Sequence, residues 1–374
     1  MRDNTEYFNT FVVIYNVLRQ VRRKLNLDRL RVNNELDVYC GKNIAFDFAC
    51  NYILEHSDRP VSGLPKVAIV SDRAVAGYYY NLFENQFIMH DIRPKLITVN
   101  ACDTDKSLKT VLEISGYLSE FDYGSNDWVV ALGGGGVIDC AAFAARLYRS
   151  GCVNFLAVPT TVYAMTDCIT SDRAYVNLGM HKDELSCPMK IGAALCDTEF
   201  LKSVPSKYRA NGYAAVIRYS VLGDTGLISD LSEPGDMREF LERVYKVRSD
   251  IRQYNPVLLT LGSELAFAID AYNRFNNLAE GASLALSIYS ALPEQGRTVM
   301  RRLYSSLGLP YEIDPKSSPM IRRNLESYLD GISEDRVRIA DYEDGKWVVR
   351  DLSKPEAGKI FEERIKIIEA GDGN

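Results

Sequence analysis

Four consecutive glycines, Gly133–Gly136, lie between a strand-like run and a helix-like run in the stretch "VVALGGGGVIDCAAFAARLYRSG". Residues without Cβ let a ligand's phosphates approach the backbone N–H groups, and the N-terminus of the following helix favours negative charge. A dinucleotide suits such a loop. The spacing GGGGxxD lacks the GxGxxG pattern, so the loop alone is explained equally well as a tight structural turn.

Length and charge limit the class of protein. The chain has 374 residues, 47% of them hydrophobic, which is too long for one compact core and predicts two domains. The net charge of -6 disfavours nucleic acid or an anionic membrane as a partner, so we expect a small molecule. The eight cysteines have no CxxC or zinc-ligand spacing, and the apolar run "FVVIYNVL" is too short to span a bilayer. These features predict a cytoplasmic protein with reduced thiols.

Three regions differ in their hydrophobic pattern. Helical spacing over Thr5–Leu25 predicts an N-terminal helical extension, residues 1–30. In residues 31–197, short apolar strands alternate with helical patterns, which predicts a Rossmann-like α/β domain with a parallel sheet. Beyond Asp197 the pattern becomes a series of amphipathic helices, which predicts an all-α domain over residues 198–374. The predicted strands are "LDVYC", "KVAIVSD", "PKLITVN", "WVVALGG" and "VNFLAVPTT".

Three blocks in succession, "GGGGVIDCAAFAA", "VPTTVYAMTDCITSDRAYVN" and "CDTEFLKSVPSKYRANGYAAVIRY", resemble the dehydroquinate synthase family, in register over about Val38–Leu309. The middle block is most similar to the 2-deoxy-scyllo-inosose synthase branch of these sugar phosphate cyclases. The resemblance implies a dehydroquinate synthase-like fold, an NAD-binding α/β domain, a helical domain, a cleft between them and a homodimer. The implied reaction oxidises a phosphorylated sugar with bound NAD+, eliminates phosphate, reduces the ketone and closes a carbocycle by aldol addition.

The resemblance implies a nucleotide site, with Asp72 at the adenosine ribose and Lys106 on the nucleotide. The residues in register with the family's cofactor positions are Asp72, Lys106, Gly134, Gly135, Asp139, Thr160, Thr161 and Asp167. Simpler roles stay open for several of them. Asp72 could cap the next helix, Lys106 could lie in solvent, and the threonines could be strand-end hydroxyls with local partners.

The substrate half of the resemblance is altered. Arg173 replaces the family's phosphate-site lysine, Lys182 keeps the next lysine, and Asp183 stands where an asparagine is expected. An acid beside a phosphate pocket opposes the anion. Pro256 takes the approximate place of a substrate-binding arginine, and Arg149 falls near another in uncertain register. We expect Arg173 and Lys182 to grip an anionic substrate, although surface solvation explains Arg149 and Lys182 equally well.

The metal site departs furthest from the family. The family's divalent ion is held by a glutamate in "AEVIKY" and histidines in "FGHTFGH" and "HGEAV", where this chain has "AAVIRY", "LGSELAF" and "AEGAS". Ala215, Ser263 and Ala279 therefore replace the ligands, and Phe267 replaces a further histidine. A methyl group cannot coordinate a cation, and a serine hydroxyl is a poor ligand. The histidines elsewhere, none with a second ligand at metal spacing, are His56, His90 and His181. The sequence predicts no metal.

Without an ion, other groups must polarise the substrate or the chemistry is lost. The polar side chains in the former metal region are Tyr213, Arg218, Tyr219, Glu264 and Glu280. Glu264 and Glu280 would act as acid or base if buried near each other, or lie on a solvated helix face. Of these we expect Glu264 to move a proton.

Three functions remain open. The first is a cyclase- or lyase-like enzyme of specialised metabolism that binds NAD and works without metal, and it is favoured because the nucleotide half is kept. The second is a pseudoenzyme that stabilises or regulates a partner. The third is a metal-independent polyol dehydrogenase, since glycerol dehydrogenases of the wider fold family have a similar GGGxxxD loop.

Overall fold

The computed structural model describes residues 28–32, 36–57, 63–100, 105–179, 181–232, 235–273 and 281–370. The predicted helix at Thr5–Leu25 lies outside these residues. The strands are β1 (Asp28–Val32), β2 (Leu36–Gly41), β3 (Val67–Asp72), β4 (Lys95–Val99), β5 (Trp128–Gly133), β6 (Asn154–Pro159), β7 (Arg173–Leu178), β8 (His181–Pro188), β9 (Ala193–Asp197), β10 (Arg336–Glu343) and β11 (Lys346–Ser353).

The helices alternate with strands in the first half and follow one another in the second. They are α1 (Ala45–Glu55), α2 (Arg73–Ile88), α3 (Leu108–Glu120), α4 (Gly135–Leu147), α5 (Val162–Thr166), α6 (Ser206–Gly212), α7 (Ala214–Leu222), α8 (Leu227–Ser232), α9 (Met237–Tyr254), α10 (Ser263–Asn273), α11 (Ala282–Ala291), α12 (Glu294–Leu307), α13 (Ser318–Gly331) and α14 (Lys354–Ala370).

A seven-stranded sheet forms the first half, in the order β1-β2-β9-β6-β5-β3-β4. Its strands run parallel from β2 to β4, and only β1 pairs antiparallel, at the edge. All six residues of β5 are buried, as expected for a central strand covered by helices on both faces. The predicted parallel sheet with crossover helices is confirmed.

The strand order changes direction at β3. The chain passes from β3 to β4 on one side and then to β5 on the other, which creates a crevice at the carboxyl ends of β3 and β5. The Ser71 hydroxyl joins these two ends by donating to the Leu132 carbonyl at 2.7 Å. Asp72 and the glycine loop therefore lie on the same edge of the sheet.

The second half is helical, with a hairpin of β10 and β11 that the sequence pattern did not predict. The indole of Trp347 on β11 donates to the Val221 carbonyl at 2.8 Å and joins the hairpin to α7. A second hairpin, β7–β8, packs on α4 of the first half and on α10 of the second. Strand β1 begins at Asp28, so the sheet begins inside the stretch assigned to the N-terminal extension.

In the parts of the chain that the structure describes, every helix is too short or too polar to cross a membrane.

Asp197 joins the sheet to helix α1. It is fully buried at the end of β9, and its carboxylate accepts the backbone N–H groups of Asn43, Ile44, Ala45 and Glu199 at 2.7 to 3.0 Å. Four donors on one carboxylate satisfy the start of α1 and the turn after β9 together. Asp197 therefore fixes the start of α1 against the end of β9.

Asp197→Ala is expected to lower the free energy of unfolding by about 3 kcal/mol, because it leaves buried N–H groups without acceptors. Urea unfolding measures the loss. Asp236→Ala is the matched control, because Asp236 caps α9 through one bond, to the Arg238 N–H at 2.8 Å, and should cost about 1 kcal/mol. Equal losses in the two variants would contradict the central role of Asp197.

Candidate functional site

Packing explains only part of the glycine loop. A Cβ at Gly133 would lie 2.8 Å from the Cβ of Val137, so that glycine is required by the fold. A Cβ at Gly135 would meet its nearest neighbour, the Tyr163 ring, at an ordinary 3.5 Å. None of the four glycines has a positive φ. The structural-turn interpretation therefore accounts for Gly133, whereas the bare backbone at Gly135 suits close approach of a ligand.

Gly134 caps α4 with no side-chain acceptor, so the first N–H groups of this helix face the crevice without a capping side chain. The loop is tied to the end of β6, because the Thr160 N–H donates to the Gly133 carbonyl at 2.9 Å. The dipole and the N–H groups together favour an anion at this point.

Asp72 caps the helix that follows β3. Its Oδ1 caps α2 by accepting from the N–H groups of Ala74 at 2.9 Å and Val75 at 3.0 Å. Among the described residues, Oδ2 receives no hydrogen bond, and the side chain is half-buried. The capping interpretation is therefore correct, and it leaves the second carboxylate oxygen without a hydrogen bond from the described residues.

The two threonines after β6 differ. Thr161 caps α5, with its hydroxyl accepting from the Ala164 N–H at 3.2 Å. Thr160 is buried, 2% exposed, beside the glycine loop. Asp167 follows α5 and faces the helical half. All three lie close to the carboxyl end of β6.

Lys106 is buried between two carboxylates. Its ammonium lies 2.7 Å from Oδ2 of Asp139 and 2.7 Å from Oδ1 of Asp183. Its side chain is 7% exposed, which rules out the solvent interpretation. Burial raises the pKa of Asp139, and the ammonium opposes this shift only in part. Lys106 is thus an internal counter-ion next to the first turns of α4.

The position of Asp183 explains why an acid is tolerated there. It has a φ of 55°, in the left-handed region that short polar residues adopt most readily after glycine. Its N–H donates to the Asn177 side chain at 2.8 Å, and the Asn177 N–H donates to the Lys106 carbonyl at 2.8 Å. The carboxylate faces Lys106 and is not left opposing an anion alone.

Lys182, the preceding residue, is bound to the other half of the molecule. Its ammonium lies 2.8 Å from Oδ2 of Asp270 on α10, and both side chains are 11% exposed. Lys182 and Asp183 therefore tie β8 to opposite halves of the molecule through two ion pairs. Lys182 is therefore not a solvated surface residue.

Arg173 is bonded within its own hairpin. Its Nε donates to the Ser186 hydroxyl at 2.9 Å, and Nη2 donates to the Ser186 carbonyl at 3.2 Å. A ligand gripped by Arg173 and Lys182 would have to share or displace these contacts. Arg149 lies beyond the C-terminal end of α4, away from the glycine loop, and pairs with Asp122 at 2.6 Å.

Asp167 meets two buried side chains of the helical half. The Tyr219 hydroxyl donates to its Oδ1, and Nε of Arg248 lies 3.7 Å from the same oxygen. Burial, with the Asp167 charge second, raises the pKa of Tyr219, so the phenol keeps its proton. Nε of Arg248 is buried without a hydrogen-bond partner among the described residues.

The positions of the family's metal ligands do not fit a divalent cation. Ala215 is fully buried and presents a methyl group. The Ser263 hydroxyl accepts from Nη2 of Arg218 at 3.0 Å, so its lone pair faces a positive charge. Phe267 packs edge-on against Tyr328 with centroids 5.7 Å apart. In the described ranges no group of three His, Cys, Asp or Glu residues could hold a metal. Ala279 and Glu280 lie outside those ranges.

Glu264 is buried, 6% exposed, and is not on a solvated helix face. Its Oε1 accepts from the Thr260 hydroxyl at 3.1 Å. Burial raises its pKa, and the charges of Arg364 and Arg218 oppose this shift. Tyr213, half-buried, precedes α7.

Arg248 and Asp270 are not among the predicted site residues. Each interrupts a buried helical stripe, with Arg248 four residues after Val244 and Asp270 four after Ala266. A charged residue on an apolar helix face is a signal for a buried partner. The partners of Arg248 and Asp270 could not be predicted from the sequence, because each partner lies on the other half of the molecule.

Lys106→Met is expected to lower the free energy of unfolding by about 3 to 5 kcal/mol at pH 8, because two buried carboxylates lose their counter-ion. The pKa of Asp139, already above its ordinary 3.8 in the folded state, then rises further. A protein that contains an acid with a raised folded-state pKa becomes less stable as the pH increases through that pKa, because the folded state must then give up a proton that it binds more tightly than the unfolded state does. The deficit should therefore shrink at pH 5, as measured by urea unfolding at both pH values.

The control for this prediction is Lys106→Met combined with Asp183→Asn, which removes one of the two carboxylates and should recover part of the loss. A deficit that is independent of pH, or no recovery in the double variant, would contradict the electrostatic account.

Sequence comparisons agree with the motifs. The family model described as "3-dehydroquinate synthase N-terminal" matches residues 96–211. The 3-dehydroquinate synthase of Acidithiobacillus ferrooxidans is 30% identical over 240 residues, 60% of this chain and 66% of that protein, just under two thirds of its length. The 3-dehydroquinate synthase of Clostridium acetobutylicum is 24% identical over 304 residues, 75% of this chain and 85% of that protein.

Solved structures share the fold. A 2-epi-5-epi-valiolone synthase from Streptomyces hygroscopicus subsp. jinggangensis 5008, with NAD+ and Zn2+ bound, has a TM-score of 0.74 at 19% identity over 89% of this chain and 97% of that one. A 2-deoxy-scyllo-inosose synthase complexed with carbaglucose-6-phosphate, NAD+ and Co2+ has a TM-score of 0.72 at 17% identity over 90% and 100%. The parallel sheet, the glycine loop at its carboxyl edge, the helical second half and these matches show that the chain has the dehydroquinate synthase-like fold of the sugar phosphate cyclases and is similar in sequence to 3-dehydroquinate synthases.

Proposed function

We propose that this chain binds NAD at the carboxyl edge of β3, β5 and β6. We further propose that it acts, without a divalent metal, on a phosphorylated or polar carbohydrate-like substrate between its two halves. The observation that carries the proposal is the glycine loop at the switch point of the sheet. There Gly135 is not required by packing, and Asp72 keeps one oxygen for a ligand.

The chain's own groups define how NAD would be held. The first N–H groups of α4 would face the pyrophosphate, and Oδ2 of Asp72 would accept from the adenosine ribose. Thr160, Thr161 and Asp167 lie at the end of β6, on the side expected for the nicotinamide. When bound, NAD supplies hydride acceptance and return. Both related cyclases above were solved with NAD+, which supports this assignment.

Proton transfer would come from groups in the helical half. Glu264, with its raised pKa, holds its proton closer to neutral pH than an exposed glutamate does, which suits a general acid. Tyr219 keeps its proton and donates to Asp167, and this contact links the helical half to the expected nicotinamide side. The family reaction implies NAD-dependent, lyase-like chemistry, and we expect it in a cytoplasmic homodimer.

One observation favours the second candidate, a catalytically inactive relative that stabilises or regulates a partner. The predicted substrate-gripping bases are occupied within the protein, because Lys182 pairs with Asp270 and Arg173 is bonded to Ser186. The predicted nucleotide contact Lys106 pairs with Asp139 and Asp183. For the polyol dehydrogenase hypothesis, the likeness to glycerol dehydrogenase from Schizosaccharomyces pombe, with a TM-score of 0.60 at 10% identity, concerns the fold alone.

The cofactor proposal predicts that Gly135→Asp abolishes NAD+ binding measured by calorimetry, because the carboxylate would oppose the pyrophosphate. An acid in the first turn favours the helix itself, so the melting temperature should not fall. Gly135→Ala is the control, because its Cβ makes only ordinary contacts, and it should still bind. Wild-type protein that shows no heat and no thermal shift with millimolar NAD+ would favour the inactive relative.

The metal proposal predicts that EDTA leaves NAD+ affinity and melting temperature unchanged, because Ala215 and Ser263 present no ligand set to a cation. Elemental analysis of the purified protein is the companion measurement. One zinc or cobalt per chain, removed by EDTA together with thermal stability, would contradict the proposal.

A further inference from the structure

We propose that Asp183 makes the dinucleotide site select the oxidised cofactor, NAD+, over NADH. The inference rests on the proposed function and deepens it, because it assigns a specificity to one residue of the same site. Asp183 stands where the resemblance to the family predicts an asparagine. The charge that makes this selection is therefore a property of this chain.

Asp183 adds a second carboxylate to a buried ammonium. The Lys106 ammonium lies 2.7 Å from Oδ1 of Asp183 and 2.7 Å from Oδ2 of Asp139. Asp183 is thus paired, but the same cation also faces Asp139, and with both acids ionised the three side chains together carry one net negative charge. Their exposed fractions are 7% for Lys106, 9% for Asp139 and 24% for Asp183, so solvent screens this charge only weakly.

These three side chains lie beside the expected nicotinamide side of the crevice. Asp139 is on α4, one turn after the glycine loop. Its Oδ1 lies 4.0 Å from Sγ of Cys168, the residue that follows Asp167. Asp183 reaches them from β8, where the preceding Lys182 is bound to the helical half. The Asp183 carboxylate therefore lies where the two halves meet, close to the residues that follow β6.

The two redox forms of the cofactor differ in charge at one place. The nicotinamide ring of NAD+ is positively charged and that of NADH is neutral, whereas both forms carry the same pyrophosphate. A negative charge near the ring therefore strengthens the binding of NAD+ relative to NADH, and any repulsion of the pyrophosphate affects both forms equally. At an effective dielectric constant of about 20, a unit charge about 10 Å from the ring changes the affinity for the cationic form by about tenfold.

The substitution Asp183→Asn isolates this charge. Asp183 has a φ of 55°, and asparagine adopts the left-handed region as readily as aspartate does. The backbone N–H of residue 183 donates to the Asn177 side chain at 2.8 Å, and the variant retains this contact. Lys106 and Asp139 remain as a one-to-one ion pair. The melting temperature of Asp183→Asn without cofactor should therefore stay close to that of wild type.

The test measures the dissociation constants of NAD+ and NADH by calorimetry with the full chain at pH 8. Wild type should bind NAD+ more tightly than NADH, and Asp183→Asn should reduce this preference by about tenfold. Glu184→Gln is the matched control, because it removes the same charge from the next residue of β8, whose side chain is exposed. It should leave the preference unchanged.

ADP-ribose, which has the pyrophosphate and lacks the nicotinamide, is the third probe. It should bind wild type and Asp183→Asn with equal affinity. If Asp183→Asn changes the affinity for ADP-ribose as much as that for NAD+, the charge acts on the phosphates or the residue is structural, and the proposal is wrong. Wild type that binds NADH as tightly as NAD+ would overturn it without any variant.

Failure of the proposed function gives a different result. Wild type that binds none of the three ligands contradicts the dinucleotide site itself. Binding of all three ligands, with the same preference for NAD+ in wild type and Asp183→Asn, contradicts only the role of Asp183.

Discussion

Two opposed ion pairs on consecutive residues of β8 determine the electrostatics of the site. Lys182 is bound to Asp270 of the helical half, and Asp183 is bound to Lys106 of the α/β half. The β7–β8 hairpin is thereby fixed between the halves, and both of its charges are neutralised. Because these pairs are buried, removing one partner would leave the other charge without a counter-ion in the low-dielectric interior.

This arrangement changes where positive charge is available to a ligand. In the hairpin, the basic groups are engaged with acids or with Ser186. In the helical half, Arg218 donates to the Leu261 carbonyl and the Ser263 hydroxyl, and Nε of Arg248 lies 3.7 Å from Oδ1 of Asp167. The basic groups of both parts are therefore already engaged with groups of the protein itself.

The cofactor half and the metal half of the molecule obey different constraints. The carboxyl edge of the sheet is fixed by strand order and by Asp197, so the crevice there persists as long as the fold does. The former metal position depends on individual side chains. A buried methyl at Ala215 and a guanidinium bonded to Ser263 alter it without disturbing the helices. The proposed loss of the ion is thus compatible with the proposed dinucleotide site.

The sequence by itself determined the parallel sheet, the glycine loop at a strand end and the presence of Ala215 and Ser263 where the family has metal ligands, because periodicity and residue type act locally. It did not determine the partners of Lys106 and Lys182 or the burial of Glu264, and it did not predict the β10–β11 hairpin. Asp183 looked unfavourable beside a phosphate, yet its left-handed backbone turns it toward Lys106. Only the tertiary structure decided how these charged residues are paired, because each pair joins residues that are far apart in the chain. The Coulomb energy of a pair depends on distance and burial, which no local sequence pattern specifies.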